Sequence, residues 1–184
     1  MSGATGGVLA TRMVTDGGRP VLIEVGTPVE ASDGSGRCGF RVHGMGEFEV
    51  RDVDGIAALY RALVALRAVL SRANRCGHRF AVLDATAQGF PVAPSPGYRA
   101  PEAAASGGVV GLRIQVTDRG PRAIEIDSPR RAVGRGYYVC AFRIEGRPQA
   151  VASGCDAIQA LLTALRMIGA LLAFPSDWPV SRAR

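Results

Sequence analysis

The sequence predicts an α+β fold made of two tandem ββββα repeats, in which one helix covers each antiparallel meander sheet. Three observations predict it: an internal similarity at a spacing of 102 residues, short segments that alternate apolar and polar residues, and two helical stripes of leucine and isoleucine. The matching order of these features indicates a tandem duplication. We therefore expect the repeats to pack with pseudo-twofold symmetry, like a homodimer fused into one chain.

The internal similarity is clearest where residues 38–70 align without a gap onto residues 140–172, with twelve identities in 33 positions. The same offset pairs the Val-Thr-Asp of residues 14–16 with that of residues 116–118, while Ile23-Glu24 matches Ile124-Glu125 at an offset of 101. The prolines and glycines between the copies predict an exposed linker. These boundaries give repeat 1 at 8–83, a linker at 84–108 and repeat 2 at 109–180.

Each repeat is predicted to consist of strands followed by a helix. In repeat 1 the alternation predicts strands at 8–15, 20–25, 37–44 and 47–51, and a fifth strand at 80–83. The apolar stripes predict helices at 54–75 and 156–174, and Asp54 and Asp156 are the expected N-cap residues. Because both aspartates match across the copies, a paired carboxylate site is the alternative interpretation of them.

The second copy carries a strand Cys140-Ala-Phe-Arg-Ile-Glu-Gly146 and a helix start Gly154-Cys-Asp-Ala-Ile-Gln-Ala-Leu161. These motifs resemble a small bacterial domain family of unknown function. The resemblance covers residues 109–178 well and residues 8–70 more loosely, because Asp52 replaces the glycine and Ala57 the glutamine. It implies the fold and a bacterial cytoplasmic setting, and it implies no activity.

The composition is that of a globular protein, with 47% hydrophobic and 21% charged residues in 184. Arginines interrupt the longest apolar segments, so we expect no membrane span, and the N-terminus lacks a secretory pattern. The expected localisation is cytoplasmic. All 22 basic residues are arginine, and the net charge of +6 favours an anionic partner or surface.

Catalytic signals are weak. The four cysteines and two histidines have no metal-ligand spacing, and no phosphate-binding or nucleophile motif is present, so we expect no metal and no cofactor and lean against an enzyme. Cys38 and Cys140 alternate with core residues and are expected to be buried. Cys155 precedes a helix, whose N-terminus would favour its thiolate.

The charge excess lies in the second copy, where residues 109–184 hold eleven arginines against six acidic residues. Much of it falls in one loop, which is either a solvated segment or an anion-binding patch. The candidate binding residues are Arg130, Arg131, Arg135, Arg119, Arg122 and Tyr137.

These observations predict a non-catalytic protein-binding module whose partner is another protein, for example an immunity or antitoxin-like protein. The alternative is binding of a nucleic acid or phosphate ligand through the arginine loop. A third class is an enzyme or small-ligand protein that uses the groove between the repeats.

Overall fold

The computed structural model describes residues 7–82, 108–117 and 120–173. It confirms the α+β class, with two antiparallel sheets and two helices. The element order is roughly that of two ββββα units. The expected linker at 84–108, apart from its last residue, lies outside the described residues, as does the chain beyond Ala173.

The first unit holds a six-stranded sheet and a helix that packs on it. In chain order the elements are β1 (Val8–Asp16), β2 (Arg19–Gly26), β3 (Val29–Glu30), β4 (Gly36–Val42), β5 (Gly46–Asp52), α1 (Gly55–Arg75) and β6 (Phe80–Val82). The strand order in the sheet is β3-β4-β2-β1-β6, with β5 also paired to β4.

The second unit holds a five-stranded sheet and a helix. Its elements are β7 (Val109–Thr117), β8 (Gly120–Asp127), β9 (Arg130–Arg131), β10 (Tyr138–Ile144), β11 (Ala150–Gly154) and α2 (Ala157–Leu171). The strand order is β11-β10-β8-β7, with β9 also paired to β10. The two-residue strands β3 and β9 were not expected, since such short pieces carry no alternation that could be recognised.

The register of the first hairpins corrects one expected match. Thr15 lies opposite Pro20, and Val116 lies opposite Pro121, so the structural offset between β1 and β7 is 101 throughout. The expected match of residues 14–16 with 116–118 at an offset of 102 is therefore wrong by one residue. The correct register places Arg113 at the position that Arg12 holds in the first unit.

In each unit a strand passes so close to the start of the helix that it needs a glycine there, but the glycine lies on a different strand in the two units. A Cβ on Gly154 would overlap the backbone of α2 at Ala160, and a Cβ on Gly36 would overlap the backbone of Asp54. Gly36 is the cross-strand partner of Asp52, the residue that replaces the motif's glycine. The glycine beneath the helix start is thus supplied by β4 in the first unit and by β11 in the second.

One hydrophobic core runs through both units. Each helix packs on its own sheet, and in addition α1 contacts β7 while α2 contacts β1. A Cβ on Gly111 of β7 would stand 2.9 Å from Cγ1 of Ile56 on α1, so this strand lies close against the other unit's helix. The units therefore share a buried interface.

Leu63→Ala and Leu165→Ala should each lower the free energy of unfolding by about 2–5 kcal/mol, because each removes a buried side chain and leaves a cavity. Both leucines are 2% exposed and belong to the shared core. Chemical denaturation should show one transition for both variants. Val64→Ala is the control, since Val64 is half-exposed on α1 and its truncation should cost little.

Candidate functional site

Two ion pairs connect the units in a reciprocal way. Arg12 of β1 donates from Nε and Nη2 to the two carboxylate oxygens of Asp156, at 2.7 and 2.9 Å. Arg113 of β7 lies with its Nε 2.9 Å from Oδ2 of Asp54. Each arginine side chain is only 9% exposed, so both pairs are largely removed from water.

The same two aspartates begin the helices. Oδ1 of Asp54 accepts a hydrogen bond from the Ala57 amide, and Oδ1 of Asp156 accepts one from the Gln159 amide, both at 2.8 Å. The Gln159 side chain reaches back to the amide of Cys155 rather than to that of Asp156, a variant of the capping box. Each carboxylate is thus occupied by a helix end and by an arginine of the other unit, and we assign both aspartates a structural role.

The cysteines carry no sign of a nucleophile. Burial raises the pKa of Cys38 and of Cys140 to about 12, and both thiols lie against backbone carbonyl groups. The structure does not favour a Cys155 thiolate: burial, followed by the neighbouring Asp156 carboxylate, raises the pKa of its thiol. Oδ2 of Asp156 lies 3.8 Å from the Cys155 sulfur.

The sheet of the first unit turns a charged face away from its helix, which we call the first outer face. Glu24 lies near both Arg41, at 3.4 Å, and His43, at 3.0 Å, and Arg41 also binds Glu47. Arg37 and Arg51 lie within 4.0 Å of Glu49. Most positive and negative groups on this face therefore pair with one another, although Nε of Arg37 is buried without a hydrogen-bond partner among the described residues.

The corresponding face of the second sheet, the second outer face, keeps one such pair, between Arg143 and Glu125, and is otherwise more apolar. Val139 and Val151 hold the positions that Arg37 and Glu49 hold in the first unit, and with Ala141 they form a separate buried cluster. On β7, Leu112 and Ile114 point away from the core because Arg113 between them points inward, and they are 55% and 62% exposed. Exposed apolar side chains on the same face of one strand are typical of an interaction surface.

The arginine loop, residues 130–137, adjoins this face. The Ala132 amide donates a hydrogen bond to the Tyr137 carbonyl across the loop, and both residues pack on the buried valines. The loop borders an open hollow of about 490 Å³ lined by residues 131–136, and Val133 in the loop is 96% exposed. Among the described residues no carboxylate lies within ion-pair distance of Arg130, Arg131 or Arg135.

Not all the candidate binding residues come together. Arg122 lies near the start of β8, opposite Gln115, and its Nη1 donates to the Glu145 carbonyl at 2.6 Å. The arginine loop follows the other end of that strand, so the expected cluster with Arg122 is wrong. Arg119 lies outside the described residues.

The second outer face also contains a buried acid. Asp127 is 6% exposed, and its buried Oδ2 has no hydrogen-bond partner among the described residues. Burial raises the pKa of this carboxyl, and Arg143 and Arg130 oppose that effect only partly. Glu125 on the same face lies 3.5 Å from Arg143, so Arg143 forms its ion pair with Glu125 and not with Asp127.

Other candidate chemistry is limited. Over residues 7–82, 108–117 and 120–173, no group of three or more His, Cys, Asp or Glu side chains could hold a metal ion. In those same ranges no helix is long and apolar enough to cross a bilayer. Sequence reasoning missed Arg12 and Arg113, although the offset of 101 that relates Ile23 to Ile124 also relates these two arginines.

Asp156→Asn should destabilise the protein by about 3 kcal/mol, the lower end of the range for breaking a buried ion pair, because Asp156 keeps a fifth of its exposure. Asparagine is an equally good N-cap, so the loss reports the contact with Arg12. Asp54→Asn should cost a similar amount through Arg113. If both variants unfold at the same denaturant concentration as the parent chain, the ion pairs do not stabilise the fold.

Asp127→Asn should raise the thermal midpoint at pH 7 and leave it unchanged near pH 3. The folded-state pKa of this carboxyl is raised above its usual 3.8, so its ionisation destabilises the folded protein. This loss of stability appears as the pH rises from 3.8 through the folded-state pKa. Melting curves across this range test the sign. A lower midpoint at pH 7 would show that the ionised carboxylate has a favourable partner.

Comparison with known proteins found one family match. Residues 112–179 match the model of a domain of unknown function, DUF6968. No curated protein and no solved structure matched the chain. The second unit is therefore similar to an uncharacterised domain family.

Proposed function

We propose that the protein is a non-catalytic protein-binding module and that its partner docks on the second outer face and the arginine loop. One observation carries the proposal: in the arginine loop the exposed Val133 lies among arginines that have no carboxylate within ion-pair distance among the described residues. Arginine and aromatic residues are enriched in protein interfaces, and a partly apolar surface supplies the rest of the binding energy.

The charges specify the chemistry of the partner. Arg130, Arg131 and Arg135 have no acidic neighbour within 4 Å among the described residues. A partner that presents carboxylates would form ion pairs with them. The first outer face lacks this property because its glutamates already pair with its arginines. An immunity or antitoxin-like role is one example of such binding.

The proposal includes the origin of the architecture as a tandem duplication with pseudo-twofold packing. The reciprocal pairs Arg12–Asp156 and Arg113–Asp54 support it, because a twofold interface contains every contact twice. The four free cysteines fit a reducing compartment, in keeping with a bacterial cytoplasmic protein.

Photocrosslinking tests the docking surface even while the partner is unidentified. A photoreactive amino acid at position 133 should capture one specific protein from native lysate, whereas the same group at position 13 on the first outer face should not. The joint change of Arg130, Arg131 and Arg135 to alanine should abolish that product, because the partner's carboxylates lose their contacts.

The matched control changes Arg37, Arg41 and Arg51 to alanine and removes the same charge from the first outer face. It should leave the crosslink intact. Equal losses in both triple variants, or equal capture from positions 133 and 13, would contradict the proposed surface.

A further inference from the structure

A second basic surface lies at the other unit, at the C-terminal end of α1. The helix from Gly55 to Arg75 contains no acidic residue. Four exposed arginines lie at its end, in the loop after it and at the neighbouring turn, and we call them the helix-end cluster: Arg72, Arg75, Arg79 and Arg19. None of the four forms an ion pair with a described residue.

The helix dipole accounts for only part of this cluster. Arg72 and Arg75 lie in the last turn, where positive side chains offset the partial negative charge of the helix end. Arg79 and Arg19 lie outside the helix. Their position beside the helix end therefore needs a different explanation.

The backbone around Arg79 is held firmly. Its amide donates to Oδ1 of Asp16 at 2.7 Å, and its carbonyl accepts from the Gly17 amide at 3.3 Å. The next residue, Phe80, is bound through both its amide and its carbonyl by the side chain of Asn74. The exposed guanidinium thus projects from a fixed loop, which lowers the entropy lost when it binds a ligand.

The carboxylate that reaches this region, Asp16, forms no ion pair with the four arginines among the described residues, although the charge of Arg19 contributes to lowering its pKa. Asp16 accepts hydrogen bonds from the Arg79 amide and from Nδ1 of His78, and these contacts hold its pKa below the usual value. Its charge faces the loop backbone, and the four guanidinium groups remain available to an external anion.

We propose that the helix-end cluster binds the phosphate backbone of a nucleic acid. Unlike the arginine loop with its exposed Val133, the described residues 70–81 around the cluster contain no strongly exposed large apolar side chain. A protein or membrane partner would need such anchors, whereas phosphate binding depends on charge. This inference stands apart from the proposed protein-binding surface.

The test measures binding of the full chain to a fluorescent DNA duplex by anisotropy over a range of salt concentrations. The joint change of Arg72, Arg75 and Arg79 to alanine should weaken binding and reduce the slope of log affinity against log salt by about three, roughly one per phosphate contact. The joint change of Arg130, Arg131 and Arg135 removes the same charge and should leave the slope unchanged. Thermal melting confirms that both variants are folded.

Three results would overturn the proposal. The first is a parent chain that does not bind the duplex at low salt. The second is equal weakening of binding in the two triple variants, which would show a response to net charge alone. The third is binding to phosphatidylglycerol vesicles that is lost in the helix-end variant without any loss of DNA binding, which would assign the cluster to a lipid surface. Only a loss of DNA binding specific to the helix-end variant supports the proposal.

Discussion

The placement of a carboxylate at the start of each helix constrains the rest of the structure. Asp54 and Asp156 each cap a helix and each bind an arginine that reaches in from the other unit. A buried guanidinium without its carboxylate would destabilise the fold, so each unit depends on the other for an ion-pair partner as well as for part of its core. The two units are therefore parts of one folding unit, and the shared core and the close contact of Gly111 with Ile56 follow from the same packing.

With the interior fixed in this way, the outer faces of the two sheets are free to differ. The first outer face pairs its glutamates with its arginines. The second keeps the Glu125–Arg143 pair, has valines in place of Arg37 and Glu49, and adjoins an arginine loop that has no carboxylate within ion-pair distance among the described residues. The energetic consequence is that only the second face would gain from meeting an acidic, partly apolar partner. Buried Asp127 lies on that face with an oxygen that has no hydrogen-bond partner in the described part of the chain, which is the kind of local cost that a functional surface can retain.

The basic charge of the chain divides into two kinds of surface. At the arginine loop, guanidinium groups flank the exposed Val133. At the end of α1, guanidinium groups project from polar surroundings and from a loop that Asp16 and Asn74 hold in place. Since apolar contact favours protein partners and isolated charge favours phosphates, the same residue type supports two different hypotheses.

The sequence by itself determined the fold class, the main strands and the two helices, because alternation and helical stripes are local properties of the chain. It also indicated which aspartates begin the helices. Only the tertiary structure showed that these aspartates bind Arg12 and Arg113, that Arg122 lies away from the arginine loop, and that Gly36 takes the place of the missing motif glycine. Each of these depends on which residues meet across strands or between units, and a one-residue error in register was enough to conceal the arginine pair.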